Sequence, residues 1–247
     1  MNILFDLDGT LTDPREGIVA CIKHGLSSLG EPSPPDAELE RFIGPPLHET
    51  FAKLLSGDRN VDAAVKAYRE RFSAVGMFEN VVYAGIPEVL KTLGAKGAAL
   101  YVATSKPQVF AERILDHFDL SRYFTRVFGS ELNGVRSNKG ELIEHILLTE
   151  QLSPVDTVMV GDREHDIHGA RRNSVRAVGV LWGYGSTKEL VAAGAEQIFA
   201  QPSELCALSS DNGLHCTAVS RNQSQSVIAC IVNRRPLVPR REPGNAL

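Results

Sequence analysis

The 247-residue chain is poor in several features that mark whole protein classes. Its four cysteines, Cys21, Cys206, Cys216 and Cys230, form no CxxC pair. That argues against a zinc knuckle or a disulfide framework and fits a reducing compartment. No apolar run reaches the roughly 18 residues of a membrane-spanning helix, so no membrane is expected as a partner. Met1-Asn2-Ile3-Leu4-Phe5 leads at once into Asp6, without a signal-peptide layout. A cytoplasmic location follows as the expectation. The net charge of −4 supplies no basic field for a nucleic-acid polymer. Internal repeats are missing as well. What remains is ordinary globular composition, 43% apolar and 23% charged, sufficient for a sizeable core.

The chain divides unevenly. Asn2 to Asp6 reads as a short buried strand ending on a carboxylate. From Pro14 to about Val82 the apolar residues recur at helical spacing: Ile18, Val19, Ile22, Leu26 and Leu29, stopped at Gly30; then Leu39, Phe42 and Ile43; Leu47, Phe51, Leu54 and Leu55; and Val61, Val65, Tyr68 and Phe72. No strand is expected among them. From Gly85 the rhythm alternates. Helices at Ile86–Leu93, Gln108–Phe118, Gly140–Leu148, after Asp166 and at Lys188–Ala193 precede strands at Ala98–Ala103, Arg126–Phe128, Thr157–Val160, Arg176–Leu181 and Gln197–Phe199. This alternation predicts an α/β fold, a parallel sheet covered on both faces, with ligands beyond the carboxyl ends of its strands. Beyond Leu208 the periodicity ends. Residues 209–247 carry five basic and two acidic residues and read as a poorly ordered extension, except for the strand-like run Val227–Val232.

The chemistry-bearing residues lie at strand ends or in the loops between elements. Asp6 and Asp8 flank Leu7, so in an extended segment both carboxylates face one cavity, and Gly9 lets the backbone turn towards a ligand. Two carboxylates this close call for a shared proton or a cation. Thr104-Ser105, after an apolar strand, offers hydroxyl and amide groups to a phosphate oxygen, and Lys106 adds a cation. Lys139 sits at a helix start, where cations are disfavoured, and is suited to bridge a carboxylate and a phosphate. Gly161-Asp162 and Asp166 follow a strand, and their hard oxygens suit Mg²⁺. Each element alone reads equally as an acidic turn, a helix cap or a surface lysine. His165 and His168, at helical spacing, lack the further ligands of a zinc site.

Taken together and in this order, the four elements resemble the haloacid dehalogenase-like (HAD) phosphatase superfamily. Phe5-Asp6-Leu7-Asp8-Gly9-Thr10-Leu11 is similar to its first motif, and Thr104-Ser105, Lys139 and Gly161-Asp162 to Asp166 to the other three. Phe42-Ile43-Gly44-Pro45-Pro46-Leu47, Ser105-Lys106-Pro107 and Gly179 to Gly185 resemble the phosphoglycolate phosphatase-like branch. The resemblance covers roughly residues 1–208. It implies a Rossmann-like core from residues 1–13 and 84–208, a small α-helical cap from 14–83, and an extension, 209–247, without counterpart.

The resemblance also implies roles. Asp6 attacks phosphorus, and Asp8 protonates the leaving alkoxide and then activates water. Lys139 with Thr104 or Ser105 holds the phosphoryl group, with Lys106, Gly9 and Thr10 beside it. Asp6, the Asp8 carbonyl and Asp162 bind Mg²⁺, supported by Asp166. Arg41 and the Gly44-Pro45-Pro46 turn stand at the cap mouth, placed to select the leaving group. The expected activity is hydrolysis of a small phosphorylated metabolite, phosphoglycolate first and a 5′-nucleotide second, by a monomer or homodimer. A phosphomutase of the beta-phosphoglucomutase type and a non-catalytic binding protein are the rivals. Two departures stand out: Tyr83-Ala84-Gly85 replaces Tyr-Pro-Gly at the cap exit, and Arg163-Glu164-His165 is bulkier than the small residues usual after the metal-binding aspartate.

Overall fold

The computed structural model describes residues 1–55 and 60–210; apart from Ser209 and Ser210, the expected extension and its Val227–Val232 run lie outside the described residues. The chain opens with β1 (Asn2–Phe5) and a two-residue strand, β2 (Thr12–Asp13). Helices α1 (Arg15–Ser27), α2 (Asp36–Leu39), α3 (Leu47–Leu54) and α4 (Val61–Arg71) follow. A second short strand, β3 (Val81–Val82), pairs antiparallel with β2. The remainder alternates: α5 (Ile86–Ala95), β4 (Ala99–Pro107), α6 (Gln108–His117), β5 (Arg126–Ser130), α7 (Lys139–Thr149), β6 (Thr157–Gly161), α8 (Glu164–Arg172), β7 (Arg176–Val180), α9 (Thr187–Ala193) and β8 (Gln197–Phe199).

Six strands form one parallel sheet in the order β5-β4-β1-β6-β7-β8, so β1 is central and the α/β architecture expected from the alternation is present. Ile3, Leu4 and Phe5 are fully buried because the sheet is covered on both faces. Ile3 and Phe5 join Leu100, Val102, Val158 and Val160 in one core, closed by Val89, Leu93 and Ile114 of α5 and α6. Leu4 points the other way, into a second core with Tyr101, Ala103 and Met159, closed by Leu142, Ile146, Ile167 and Leu190 of α7, α8 and α9. Each such buried aliphatic side chain contributes roughly 1.5–3 kcal/mol of transfer free energy. Ile18, Ile22, Phe51 and Tyr68 of the helical stretch share the first core, so those helices pack continuously onto the sheet.

Several elements differ from their expected form. The stretch to Val82 is not wholly helical: β2 and β3 make a two-stranded ribbon where it leaves and rejoins the sheet. The second expected helix is a single turn, α2, followed by a 3₁₀ turn at Glu40–Phe42, because Ile43 turns extended ahead of Gly44 and two prolines. Past α4, Phe72–Gly76 forms one π-helical turn. Strand β4 runs on to Pro107, so Thr104 and Ser105 belong to its irregular tail rather than to a helix cap. Helix α8 begins at Glu164, ahead of the expected start, and Asp166 lies in its first turn with Oδ2 accepting from the Arg163 N–H at 3.2 Å.

Candidate active site

The carboxyl edge of the sheet gathers residues far apart in sequence. Asp6 leaves β1, Thr104 and Ser105 end β4, Lys139 opens α7, and Asp162 and Asp166 follow β6. Lys139 is placed by its neighbours: the Asn138 side chain caps α7 by accepting from the Gly140 and Glu141 N–H groups, at 2.9 and 3.2 Å. Its ammonium therefore projects off the helix start into the sheet edge. There Nζ donates to Asp6 Oδ1 and to the Ala103 carbonyl, both at 2.8 Å, and pairs with Asp166 Oδ1 at 2.8 Å. Burial alone lowers a lysine's pKa, but the Asp166 and Asp6 carboxylates outweigh it and hold Lys139 above the usual lysine range.

Asp6, Asp162 and Asp166 each bring a carboxylate oxygen within 4.8 Å of the others. Asp162 is fully buried and Asp166 1% exposed. Gly9, at φ +84°, allows this approach, since a Cβ there would stand 2.3 Å from Asp162 Oδ2. Gly183 does the same, since a Cβ there would stand 2.4 Å from that oxygen. The Tyr184 N–H donates to Asp162 Oδ2 at 2.8 Å, while the Tyr184 phenol donates to Asp13 of β2. Burial, then the charges of Asp166 and Asp6, push the Asp162 carboxyl well above its ordinary range.

Asp8 stands apart from this trio. Its Oδ2 pairs with Lys106 Nζ at 2.9 Å, and that ammonium lies 4.6 Å from the centre of the Phe72 ring. Burial raises the Asp8 carboxyl above its usual range although Lys106 pulls the other way. Counted as ionised, the buried aspartates 6, 8, 162 and 166 outnumber the ammoniums of Lys106 and Lys139 by two, which is why burial and mutual repulsion favour protonation at Asp162 when no cation is bound. Asp8 Oδ1 and Asp162 Oδ1 are buried without a hydrogen-bond partner. Uncompensated buried charge is costly, and a hard divalent cation matches both the excess and the all-oxygen donors. The residues therefore fit a hard divalent cation such as Mg²⁺, which Asp6, Asp162 and Asp166 could hold.

A cavity of about 300 Å³ opens onto these groups. Asp6, Asp8, Thr104, Ser105, Lys106, Lys139, Asp166 and Gly44 of the expected set line it. Gly9, Thr10, Arg41 and Asp162 do not, Asp162 being fully buried behind it. Gly9 packs on Asp162, and Thr10 is fully buried with its carbonyl accepting from Trp182 Nε1 at 2.9 Å. Arg41 is exposed and lies over the Phe42 ring. Phe42, Tyr68, Phe72 and Phe110 supply much of the wall. Helical spacing cannot tell a core face from a cavity face, so Tyr68 and Phe72 read from sequence as part of a helical stripe, and Phe42 as part of that and of the Phe42–Leu47 motif. Arg163 was noted only for its bulk, yet it too lines the cavity.

The profile of the haloacid dehalogenase-like hydrolases matches residues 3–180. A 5′-nucleotidase of Pseudomonas aeruginosa is 50% identical over 207 residues, 83% of this chain and 90% of its own length. The tyrosine-protein kinase PtkA of Mycobacterium tuberculosis is 40% identical over 74% of this chain, which spans only 62% of that relative. A crystal structure described as a predicted phosphatase from Clostridium acetobutylicum superposes with a TM-score of 0.80 at 41% identity, covering 84% of this chain and 96% of that one. No helix among the described residues is long and apolar enough to cross a membrane. With its acids, lysine and sheet edge set out, the chain belongs to the haloacid dehalogenase-like hydrolase family, as a phosphatase.

Proposed function

We propose that the protein is a Mg²⁺-dependent phosphomonoester hydrolase working through an aspartyl-phosphate, with nucleoside 5′-monophosphates as its substrate class. The observation that carries the reaction is the convergence on Lys139, whose ammonium touches Asp6 and Asp166 at 2.8 Å at the floor of the cavity. Mg²⁺ held by Asp6, Asp162 and Asp166 supplies charge neutralisation for the phosphoryl oxygens. Lys139 orients the Asp6 carboxylate by holding Oδ1, leaving the other oxygen to attack phosphorus. As the Asp6–phosphorus bond forms, the bond to the ester oxygen breaks, and Asp8 gives that oxygen its proton. Asp8 then takes a proton from water, the water oxygen attacks the acyl phosphate, and inorganic phosphate leaves Asp6 regenerated. Thr104 or Ser105 with Lys139 meets the equatorial oxygens. Residues 14–83 act as a cap that excludes bulk water.

The walls support the leaving group. Phe42, Tyr68 and Phe110 bring apolar ring surface to the lining beside Phe72, which is itself covered by Tyr68 and Lys106; such a lining suits a base, whereas a glycolate carboxylate needs a cation. Two of the cavity's cations are already engaged, Lys106 by Asp8 and Arg163 by Glu189. The likeness to the Pseudomonas aeruginosa 5′-nucleotidase supports the same reading. The test is release of inorganic phosphate with Mg²⁺ from nucleoside 5′-monophosphates and from 2-phosphoglycolate. Nucleotides are expected to show the higher kcat/KM, and Asp6→Asn to abolish turnover of both. A preference for 2-phosphoglycolate overturns the substrate class, and interconversion of sugar phosphates without release overturns hydrolysis.

A further inference from the structure

Arg163 follows the buried Asp162 directly, yet its side chain leaves the cation site. Its Nε donates to Glu189 Oε1 of α9 at 2.9 Å, and its Nη1 donates to the Ile43 carbonyl at 2.9 Å. That second bond crosses from the sheet to the helical stretch, over 120 positions of sequence. It lands at the turn Ile43-Gly44-Pro45-Pro46, whose last three residues line the cavity. Gly44, at φ +106°, takes a left-handed conformation suited to glycine, and it lies beside Arg163, whose Cγ would stand at an ordinary contact distance of 3.7 Å from a Cβ there. The side chains of Arg163 and Glu189 are only 17% and 23% exposed. Glu189 is itself held by the Glu164 N–H at 3.0 Å, so the guanidinium is aimed before it meets the turn. Despite its partial burial, which works the other way, Glu189 is kept below the ordinary glutamate range by Arg163 and these amides.

We propose that Arg163 is a positioning residue that pins the Ile43–Pro46 turn over the cavity, with Glu189 aiming it, and so sets how tightly the leaving group is enclosed. The planar fork suits this duty, because one nitrogen is spent on the carboxylate while another reaches the carbonyl. Lysine, a point charge on a flexible stem, satisfies one acceptor at a time. Arg69 of α4 makes a comparable crossing, donating to the Leu132 carbonyl after β5 at 2.8 Å, which gives an internal control at a different loop. Enclosure of the leaving group rests on the phosphatase reading; pinning of the turn does not.

The experiment is hydrogen exchange by mass spectrometry on the full chain, free of substrate, for the unsubstituted protein and for Arg163→Ala, Arg163→Lys, Glu189→Gln and Arg69→Ala, with nucleotide hydrolysis measured on each. Loss of one charge-assisted hydrogen bond is expected to speed exchange in residues 40–50 by about tenfold in Arg163→Ala. Glu189→Gln should give a smaller rise in the same segment, Arg163→Lys little rescue, and Arg69→Ala no rise there. KM for a nucleoside 5′-monophosphate should climb more than kcat falls. Unaltered exchange at 40–50 in Arg163→Ala overturns the proposal, and so does faster exchange spread across the sheet. Should Arg163→Ala not fold, Glu189→Gln decides by the same criterion. Localised acceleration together with an unsubstituted protein that hydrolyses no phosphate ester keeps the pin and removes the phosphatase reading.

Discussion

At the residue scale the site is held by contacts that leave no slack. Lys139 is buried against two carboxylates and a carbonyl. Removing one partner of a buried ion cluster strands the rest, at a cost of about 3–5 kcal/mol. Lys139→Met is therefore expected to lower the melting temperature markedly and to abolish phosphate release; retained turnover would separate this lysine from the chemistry. Gly183 is equally constrained, with an added Cβ falling 2.2 Å from the Gly9 carbonyl. Gly183→Ala should displace Asp162 and erase the thermal stabilisation given by Mg²⁺, while lowering stability without metal by about 1–3 kcal/mol. Calorimetry with and without Mg²⁺ reads both effects. Asp6, Asp8, Lys139 and Asp162 could be singled out in the sequence because four motifs occur together and in order, although each alone is ambiguous. The steric duty of Gly183 was not, since it depends on a carboxylate 21 positions earlier in the chain.

At the element scale, the strands and helices of the sheet region were readable because each buries a periodic apolar face. Errors cluster where tertiary contact overrides pattern. The ribbon of β2 and β3 has two residues per strand and no periodicity to detect. The extension of β4 follows from Ser130 Oγ donating to the Ser105 carbonyl at 2.9 Å, a contact between separate strands. The end of α4 is tied to the approach to β3 by Arg71, which donates to both Glu79 oxygens at 2.7 and 2.9 Å. These bonds outweigh partial burial and lower the Glu79 pKa. The folded chain then binds fewer protons at Glu79 than the unfolded chain across the ordinary glutamate range. The stabilisation is accordingly full above the unfolded pKa and lost as pH falls through the lowered folded value. Glu79→Gln should cost about 1 kcal/mol at neutral pH and nothing once both forms are protonated. Melting curves of the two proteins from pH 7 down to about 3 check the sign.

At the scale of the whole molecule, the excess of buried negative charge makes stability a property of solution composition. A cation that binds the folded chain alone adds about 2.7 kcal/mol at one hundred times its dissociation constant. Mg²⁺ should raise the melting temperature by roughly 5–10 °C, and a chelator should reverse it, because a chain of this size gains about 2–4 °C per kcal/mol. An unchanged transition would remove the metal assignment. The α/β architecture was visible as a whole from alternation alone, whereas the contact of Arg163 with Ile43 was invisible, since a backbone carbonyl carries no sequence signature.

The parts that hold the acids and the parts that make the walls come from different stretches of chain. Asp6, Lys139, Asp162 and Asp166 gather at the carboxyl edge of the sheet, while three of the four wall rings, Phe42, Tyr68 and Phe72, come from the segment between β2 and β3. Appetite for one ester over another can thus be rewritten by exchanging those aromatic rings, with the bond-breaking apparatus beneath left as it stands.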